Sequence, residues 1–394
     1  MKFISQKISF SGIKSTSILQ DEDIVYFKKT NFSQIKTDDI IMTKKRGNTS
    51  IAKVIYRTNK FLITKGASEN HEDPKIYKNQ VIGKATHIRR RNSQFDINHY
   101  YLFRSSIYLQ EIIKVNRALQ STNVDFLFLK GLPLHLYFEK TYPKRIYRDC
   151  DILVDKKQFN RACMVLKRLG YKEEKLPYLA KNLKDLPEKN YYIVVEGLRV
   201  TFDIHREIVF TTKNICESIF YPKKDIDEIT SKFLGEKISL DIQNEKLPAL
   251  SFENFFIYTT LHLSNHDFRG TFRYELLKKV VGKKELNYKQ ISETINRYQL
   301  KNYIHPCLVF LSKYYQIKLP YTFIKSVKPD KKNVKFIQEN ILNEGIFIEH
   351  AHYHRITIAD LIKSFYLSPY PLYKKVLKLL NIKILLNFMS LPFK

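Results

Sequence analysis

The chain has 394 residues, of which 44% are hydrophobic and 13% aromatic, and it carries a formal net charge of +29. This length exceeds that of one ordinary domain, so we expect two or three domains. The composition is too apolar for an intrinsically disordered chain. No stretch reaches the roughly 20 uncharged apolar residues of a membrane-spanning helix, so none is predicted.

The net charge of +29 allows two interpretations. Its field attracts anions such as nucleotide phosphates, nucleic acid, acidic peptides or an anionic membrane surface. A chain rich in Lys, Ile, Asn and Tyr also reaches this charge through composition alone, without any partner. Nucleic acid is the weakest of these partners, because the sequence has no helix-turn-helix, zinc-finger or aromatic RNA-binding signature.

The cysteine spacing and the N-terminal sequence indicate the cellular compartment in which the protein is expected. The cysteines, which form no C-x-x-C pair, are Cys150, Cys163, Cys216 and Cys307. This pattern is typical of buried thiols in a reducing environment rather than of disulfides or a zinc site. The start of the chain, "MKFISQKISFSGIKS", lacks the apolar core of a signal peptide. We therefore expect a cytoplasmic protein.

Residues 1–92 are predicted to form a small β-domain. Short runs rich in Ile, Val, Tyr and Phe alternate with polar turns, as in "DIVYF", "DIIMT", "AKVIY" and "FLIT". The basic run "HIRRRN" (87–92) interrupts this pattern and is interpreted as a linker or as the approach to a helix. From Ile97 onwards the apolar spacing becomes helical.

Residues 93–225 are predicted to form an α/β domain with a mixed sheet. After the first helix, "VDFLFLKG" and "DCDILV" are predicted as buried strands, separated by a short helix in "LPLHLYFEK". The amphipathic segment "KKQFNRACMVLKRLGY" predicts a helix that ends near Gly170. Two further strands, "YYIVVEG" and "LRVTFDIHREI", are joined at Glu196-Gly197, which is typical of a tight hairpin.

Residues 226–394 are predicted to be mostly helical, which makes the whole chain α+β. Apolar spacing predicts helices in "ENFFIYTTLHL", "YKQISETINRY", "IHPCLVFLSKYY" and "NVKFIQENIL". Residues 371–394 alternate apolar residues with lysines and predict a basic amphipathic helix. Such a helix either docks on the preceding helices, which we favour by about two to one, or lies on an anionic membrane surface.

The sequence "RDCDILV" places Asp149 and Asp151 two residues apart at the start of a predicted strand. Side chains at this spacing lie on one face, so the two carboxylates repel each other unless a cation lies between them. Mg²⁺ prefers oxygen ligands and shares them with substrate phosphates. The pair therefore predicts a divalent-cation site for a nucleoside triphosphate, although an Asp pair in a solvated turn explains the motif better when it is taken alone.

Neighbouring residues favour the metal site. Lys130-Gly131 follows a strand and precedes a helix, where backbone N–H groups suit a phosphate. Arg145 and Arg148 precede the Asp pair and can meet phosphate oxygens. Asp203, near the end of a later strand, is placed to be a third carboxylate.

The stretch from "FLKGLPLHLYF" through "RDCDILV" to "RLGY", with "FDIH" further on, resembles the bacterial nucleotidyltransferases of the polymerase-beta superfamily. The resemblance covers residues 98–270 and implies a polymerase-beta-like nucleotidyltransferase core. It also implies that Asp149 and Asp151 bind Mg²⁺ (or Mn²⁺). Asp203 would be a third metal ligand or the base for the attacking hydroxyl.

The same resemblance implies contacts with the substrate, a nucleoside triphosphate. Lys130, Gly131 and Arg148 are expected to hold the triphosphate. His205, at the end of "VTFDIH", is expected beside the metal ligands, or it is simply a hydrogen-bonded histidine at a strand end. His262, in "YTTLHLSNHD", is expected to face the site from a later helix.

The N-terminal domain resembles signal-peptidase-like serine peptidases of the S24/S26 type, with "ITKG" and "VIG" in matching order. Lys14 stands where that family has its nucleophile, and Ala52 stands where it has a base. Ser15 or Ser17 is a candidate for a shifted nucleophile, but a Ser needs a neighbouring base to attack. The resemblance therefore implies a peptidase-like β-fold without peptidase activity that binds an extended peptide by strand addition.

Together these features predict a Mg²⁺-dependent nucleotidyltransferase that moves an NMP, AMP from ATP, to a hydroxyl or phosphate acceptor. The acceptor is expected to be a peptide or protein presented by the N-terminal module. The alternative is a non-catalytic scaffold of two binding modules that recognises a peptide in a peptide-modification or surface-polysaccharide pathway. Pyrophosphate release distinguishes the two, because only the enzyme produces it.

Overall fold

The computed structural model describes residues 3–7, 22–45, 48–66, 75–144, 147, 149–174, 187–208, 220–266, 268–283, 285–342 and 358–380. These residues divide into two compact units. The first contains the described residues up to Leu109 together with those within Glu139–Tyr147, and the second contains Gln110–Phe138 and the described residues from Asp149 onwards.

The first unit is built around an antiparallel β-sheet. Its strands are β1 (Phe3–Lys7), β2 (Ile24–Lys28), β3 (Ile40–Lys45), β4 (Asn48–Arg57), β5 (Phe61–Gly66), β6 (Ile76–Tyr77), β7 (Val81–Arg90) and β8 (Ser93–Asp96). Their spatial order is β1-β2-β7-β3-β4-β5-β6, and β8 pairs with β7. The runs rich in Ile, Val, Tyr and Phe form these strands, as their β-propensity leads one to expect.

Apolar residues cover both faces of this sheet. Ile40 and Met42 belong to one buried cluster, together with Phe27. Ile41, which lies between them on β3, belongs to a second cluster with Val54. Successive strand side chains point to opposite faces, so this short apolar run contributes to two cores at once.

The run "HIRRRN" is not a linker, and that prediction is wrong. Residues up to Arg90 continue β7, and a turn at 91–92 leads into β8. Ile88 is fully buried, and Arg90 donates two hydrogen bonds of 2.8 Å to the buried carboxylate of Asp23. The basic residue is thus balanced by an acid far away in the sequence, which a local pattern cannot reveal.

The second unit contains a mixed sheet. Its strands are β9 (Phe126–Phe128), β10 (Asp149–Val154), β11 (Lys172–Glu173), β12 (Glu188–Val195), β13 (Leu198–His205), β14 (Ile238–Ile242) and β15 (Glu245–Ala249). Their order is β11-β12-β13-β10-β9-β15-β14. β10 runs parallel to β13 and β9 parallel to β15, while the other described pairs are antiparallel. The predicted mixed sheet is therefore confirmed.

Helices make up most of the described chain after this sheet, which confirms the predicted helical C-terminal region. In chain order the helices are α1 (Ile97–Ser121), α2 (Leu132–Glu139), α3 (Phe159–Arg168), α4 (Lys223–Gly235), α5 (Phe252–Ser264), α6 (Thr271–Lys283), α7 (Tyr288–Arg297), α8 (Lys301–Tyr315), α9 (Tyr321–Ser326), α10 (Lys331–Asn340), α11 (Ile358–Leu367) and α12 (Leu372–Leu379). Helix α5 contacts α6, α7 and α8 and is buried on all sides from Asn254 to Ser264. A helix without a polar face is expected where other elements surround it.

The hairpin of β14 and β15 differs from the helical structure that the sequence predicts after residue 225. Gln243 and Asn244 form its turn with positive φ angles of 51° and 66°. Such two-residue turns match the twist of paired strands. β15 then pairs with β9, so the hairpin extends the sheet beside the strand that leads to Lys130.

The structure describes only some of the residues at which the chain was compared with serine peptidases. Ala52 is buried on β4, and the neighbouring Lys53 Nζ lies 2.5 Å from Asp38 Oδ1. The candidate nucleophile positions lie outside the described residues; they are Lys14, Ser15 and Ser17.

Candidate metal and nucleotide site

The parallel pairing of β10 with β13 brings three carboxylates together. Asp151 and Asp203 are direct partners across the two strands, and Asp149 lies on the same face two residues before Asp151. One carboxylate oxygen of each lies within 4.8 Å of the other two. The side chain of Asp149 is 47% exposed, whereas that of Asp151 is only 5% exposed. Solvent therefore reaches the cluster on the side of Asp149.

Lys130, which follows β9, reaches the same cluster. Its Nζ lies 3.2 Å from Asp151 Oδ2, 3.9 Å from Asp149 Oδ2 and 3.2 Å from His262 Nε2. β9 is antiparallel to β10, so the residues after β9 lie beside the start of β10. Burial opposes the charge on the ammonium, but the negative charges of Asp151 and Asp149 outweigh burial and raise its pKa. Lys130 is thus a cation bound to the carboxylates.

His205 links Asp151 to a further carboxylate. Its Nε2 donates a hydrogen bond of 3.1 Å to Asp151 Oδ1, and its Nδ1 lies 3.4 Å from Glu188 Oε2. Glu188 on β12 is the register partner of His205 on β13. Burial opposes the imidazolium form, but the hydrogen bond to Asp151 and the charge of Glu188 outweigh burial and raise the pKa of His205. The ring held between two carboxylates fixes the orientation of Asp151.

This environment shifts the pKa values of Asp151 and Asp203 in opposite directions. Burial alone would raise the pKa of Asp151, but the charge of Lys130 and the hydrogen bond from His205 outweigh burial and lower it to about 2. Burial raises the pKa of Asp203 well above its usual range, and the charges of Asp149 and Asp151 raise it further. In the absence of another cation, Asp203 therefore holds a proton more readily than Asp151 does.

His262 forms the helical side of the site on α5. Burial, and then the nearby Lys130 charge, lower its pKa well below the ordinary range, so the neutral ring accepts a hydrogen bond from Lys130. The ring stacks on Tyr258 with centroids 5.7 Å apart and meets His266 edge-on at 4.6 Å. Arg273 Nη2 lies 3.1 Å from His266 Nε2 and donates to it. The stacked rings hold His262 in place as an acceptor for Lys130.

The predicted site residues divide into those that share one cluster and those that do not. The described members of the cluster are Lys130, Asp149, Asp151, Asp203, His205 and His262. Gly131 connects β9 to α2 with a φ of +99°, a left-handed conformation that favours glycine. Arg148, like Arg145, lies outside the described residues.

The donor set fits a divalent cation such as Mg²⁺ or Mn²⁺. Carboxylate oxygens are the hard ligands that these ions prefer. Asp203 Oδ1 is buried and has no hydrogen-bond partner among the described residues, so a cation would satisfy an acceptor that is otherwise left alone. No other group of three or more His, Cys, Asp or Glu side chains has this spacing in the part of the chain that the structure describes.

Glu188 and Tyr258 contribute to the site and were missed in the sequence analysis. For Glu188 the signal was present, because the turn at Glu196 and Gly197 sets the register of the hairpin. Counting equal steps back from that turn pairs residue 188 with His205. Tyr258 carries no signal beyond its place four residues before His262, where two helical side chains become neighbours.

A family model decides the assignment. The model described as uncharacterised nucleotidyltransferase matches residues 86–316, which is more than half of the chain. The chain belongs to this nucleotidyltransferase family. The predicted membership of a nucleotidyltransferase family is thereby confirmed, and the protein is a nucleotidyltransferase enzyme. No curated protein matches the chain.

Three solved structures share weak similarity with this nucleotidyltransferase. The antibiotic-resistance factor ANT(2'')-Ia is 9% identical, with a TM-score of 0.32 over 50% of this chain and 92% of that chain. The lincosamide antibiotic adenylyltransferase LnuA is 13% identical, with a TM-score of 0.26 over 45% and 94%. An antigenic nucleotidyltransferase-like protein from Paracoccidioides brasiliensis is 14% identical, with a TM-score of 0.35 over 58% and 96%. At these scores the assignment rests on the family match.

Within the described ranges, none of the helices combines the length and the apolar character needed to cross a bilayer.

Proposed function

We propose that this nucleotidyltransferase moves an NMP, specifically AMP from ATP, to a hydroxyl or phosphate acceptor in a Mg²⁺-dependent reaction. The observation that carries the proposal is the cluster of Asp149, Asp151 and Asp203 beside Lys130 in a chain of this family. These aspartates would hold a divalent cation, whose chemistry would be to neutralise the charge that develops on the phosphate during transfer. The acceptor oxygen forms a bond to the α-phosphorus as the bond to the bridging β-phosphate oxygen breaks, and pyrophosphate leaves.

The aspartates would have different roles in this reaction. Asp149 and Asp151 would hold the cation, and His205 would keep Asp151 Oδ1 oriented through its hydrogen bond. Asp203 would be a third ligand or the base that takes the proton from the acceptor hydroxyl. Its position as the direct strand partner of Asp151, with a buried oxygen that has no hydrogen-bond partner among the described residues, supports either role.

Basic residues would hold the triphosphate. Lys130, Gly131 and Arg148 are assigned to this role, with Lys130 exchanging its carboxylate contacts for phosphate oxygens when nucleotide and metal bind. The pairing of Lys130 with neutral His262 supports this assignment, because the histidine holds the ammonium without competing for it as a charged partner would. The two histidines would therefore shape the site without contacting the reacting phosphorus.

We also propose a division of labour along the chain. Residues 1–92 would form a signal-peptidase-like module without peptidase activity, residues 93–225 the nucleotidyltransferase core and residues 226–394 the helical domain. The N-terminal module would bind a peptide or protein acceptor. Its sheet order ends at β1 and β6, and an edge strand can pair with an extended peptide.

The test uses ATP labelled at the α-phosphate, with Mg²⁺, and measures both label transfer and pyrophosphate release. Candidate acceptors are peptides and small hydroxyl compounds. The double variant Asp149→Asn/Asp151→Asn should lose more than about a hundredfold in activity, because outer-shell changes alone already cost 10- to 100-fold. The control Asp227→Asn removes an aspartate on α4 that is 45% exposed and pairs with Lys156.

Three results are distinguishable. Loss in the double variant and not in the control supports the proposal. Equal label transfer by the wild type and the double variant would exclude the carboxylates as the metal site. Nucleotide binding without pyrophosphate release for every acceptor would favour the alternative of a non-catalytic scaffold.

A further inference from the structure

Helix α12 presents an unusual distribution of side chains. Apolar residues on one side of the helix, together with the residue that follows it, face solvent with exposed fractions between 42% and 67%; they are Leu372, Tyr373, Val376, Leu377 and Leu380. At 100° per residue these positions fall within an arc of about 140° on one side of the helix. None of the residues of α12 is buried. The described part of the predicted helix therefore does not bury its apolar side, and residues 381–394 lie outside the described residues.

The lysines of α12 lie on the other side. Lys375 Nζ lies 5.3 Å from the ring centroid of Phe365, and Lys378 Nζ lies 5.7 Å from that of Tyr370. Both lysines are half-buried, whereas Lys374 is exposed. On the helical wheel, Lys374 and Lys375 flank the apolar arc on its two sides. The helix is thus anchored through its basic side and turns its apolar side outward.

The charged side chains in the sequence around α12, from residue 361 onwards, are all lysines. From residue 361 to the end, the chain contains six lysines and no Asp or Glu. Acidic lipid headgroups supply the complementary charge. Each lysine that lies near such a membrane surface contributes favourable binding free energy. A second copy of the chain would bring the same lysines against each other across a symmetric contact, which opposes a dimer through this face. Residues 381–394 likewise contain no Asp or Glu.

We propose that α12 is a membrane-surface helix that inserts its apolar arc, from Leu372 to Leu380, between the headgroups of an anionic lipid bilayer. The exposed leucines would enter the boundary of the acyl chains, and the flanking lysines would contact the acidic headgroups. Tyr373 suits the same depth, because an aromatic ring with a polar tip favours the membrane interface. The protein would be a peripheral membrane protein, which goes beyond its nucleotidyl transfer activity.

The experiment is sedimentation of the full chain with vesicles. One set contains phosphatidylcholine alone, and the other contains one part phosphatidylglycerol to two parts phosphatidylcholine, at low and at high salt. The wild type should bind the anionic vesicles and bind phosphatidylcholine at least about tenfold less, with salt weakening the anionic binding. Equal binding to both sets would overturn the proposal.

Matched variants separate the helix from the general charge of the protein. Leu372→Ser/Leu377→Ser should weaken binding to anionic vesicles by at least about tenfold, because each leucine contributes through its buried apolar area. Its control, Tyr321→Ser, removes a side chain on α9 that is 77% exposed and should leave binding unchanged. Lys374→Gln should weaken binding about fivefold. Its control, Lys224→Gln, removes a lysine on α4 whose side chain is 85% exposed.

Other occupants of the apolar arc give different results. If all variants bind vesicles as the wild type does, the overall charge of the protein attracts the lipid and the proposal is wrong. If the double leucine variant changes the concentration dependence of the mass in analytical ultracentrifugation, a second copy covers the arc. If it lowers the melting temperature in the absence of lipid, the chain itself covers the arc. A melting temperature equal to that of the wild type shows that the variant folds.

Discussion

The substitution Lys130→Met tests the electrostatic balance of the carboxylate cluster. It removes the ammonium that lies 3.2 Å from Asp151 Oδ2 and 3.9 Å from Asp149 Oδ2 and keeps most of the apolar stem. The Lys130 and Asp151 side chains are only 17% and 5% exposed, so water screens their interaction weakly. Removing one partner of a buried ion pair costs about 3–5 kcal/mol.

Protonation limits this loss. Without Lys130, Asp151 can take up a proton instead of remaining charged, and at pH 7 this costs an ordinary aspartate about 4 kcal/mol. We therefore expect the free energy of unfolding to fall by about 3–4 kcal/mol in the absence of metal. Mg²⁺ should restore stability more strongly in the variant than in the wild type, because the metal no longer competes with an ammonium for the same oxygens.

The assay is urea unfolding in the presence of a chelator and again with saturating Mg²⁺. The control Lys156→Met breaks a pair with Asp227 whose side chains are 51% and 45% exposed, and it should cost less than about 1 kcal/mol. The double variant Lys130→Met/Asp149→Asn should recover part of the loss, since it removes one of the repelling charges. The reasoning is refuted if Lys130→Met costs no more than the control, or if Mg²⁺ stabilises the wild type and the variant equally.

Three further predictions concern buried side chains that are not proposed to contact the nucleotide. Tyr171→Phe removes a hydrogen bond to buried Glu111 and should cost about 1–3 kcal/mol in urea unfolding, whereas Tyr321→Phe at the surface should cost nothing measurable. Cys150 is fully buried and burial raises its pKa well above the usual range, so a thiol reagent should label it, as read by peptide mapping, only at the rate of unfolding. Burial lowers the pKa of His305 from 6.5 to about 4, so its contribution to stability is complete above pH 6.5 and is lost as the pH falls towards 4. The variant His305→Gln should remove about 3 kcal/mol of this pH dependence, and unchanged curves would contradict the assignment.

Local sequence was enough to predict that Asp149 and Asp151 share a face, because strand geometry alone imposes it. It also placed Asp203 on a later strand of the same domain. It did not give the parallel pairing of β10 with β13, which makes Asp151 and Asp203 direct partners. That pairing depends on the order of strands in the sheet, and no local pattern contains it.

The contact between Lys130 and the carboxylate of Asp151 could not be predicted from the sequence, for a related reason. A Lys-Gly pair between a strand and a helix favours a phosphate contact, and the sequence offered no ground for a carboxylate instead. The contact arises because β9 and β10 are antiparallel neighbours, which brings the end of one beside the start of the other. The position of His262, 132 residues away from Lys130, depends on the packing of α5.

The exposure of the three aspartates sets the direction from which a cation must approach. Asp149 is half-exposed, Asp151 is nearly covered, and Asp203 keeps a buried oxygen without a hydrogen-bond partner among the described residues. Asp149 is therefore the carboxylate that a cation approaching from solvent would reach first. Binding at Asp203 would require loss of the proton that this carboxyl holds readily, because burial raises its pKa. A cation held by the three aspartates would consequently release a proton on binding, and Lys130 would then be available for a phosphate.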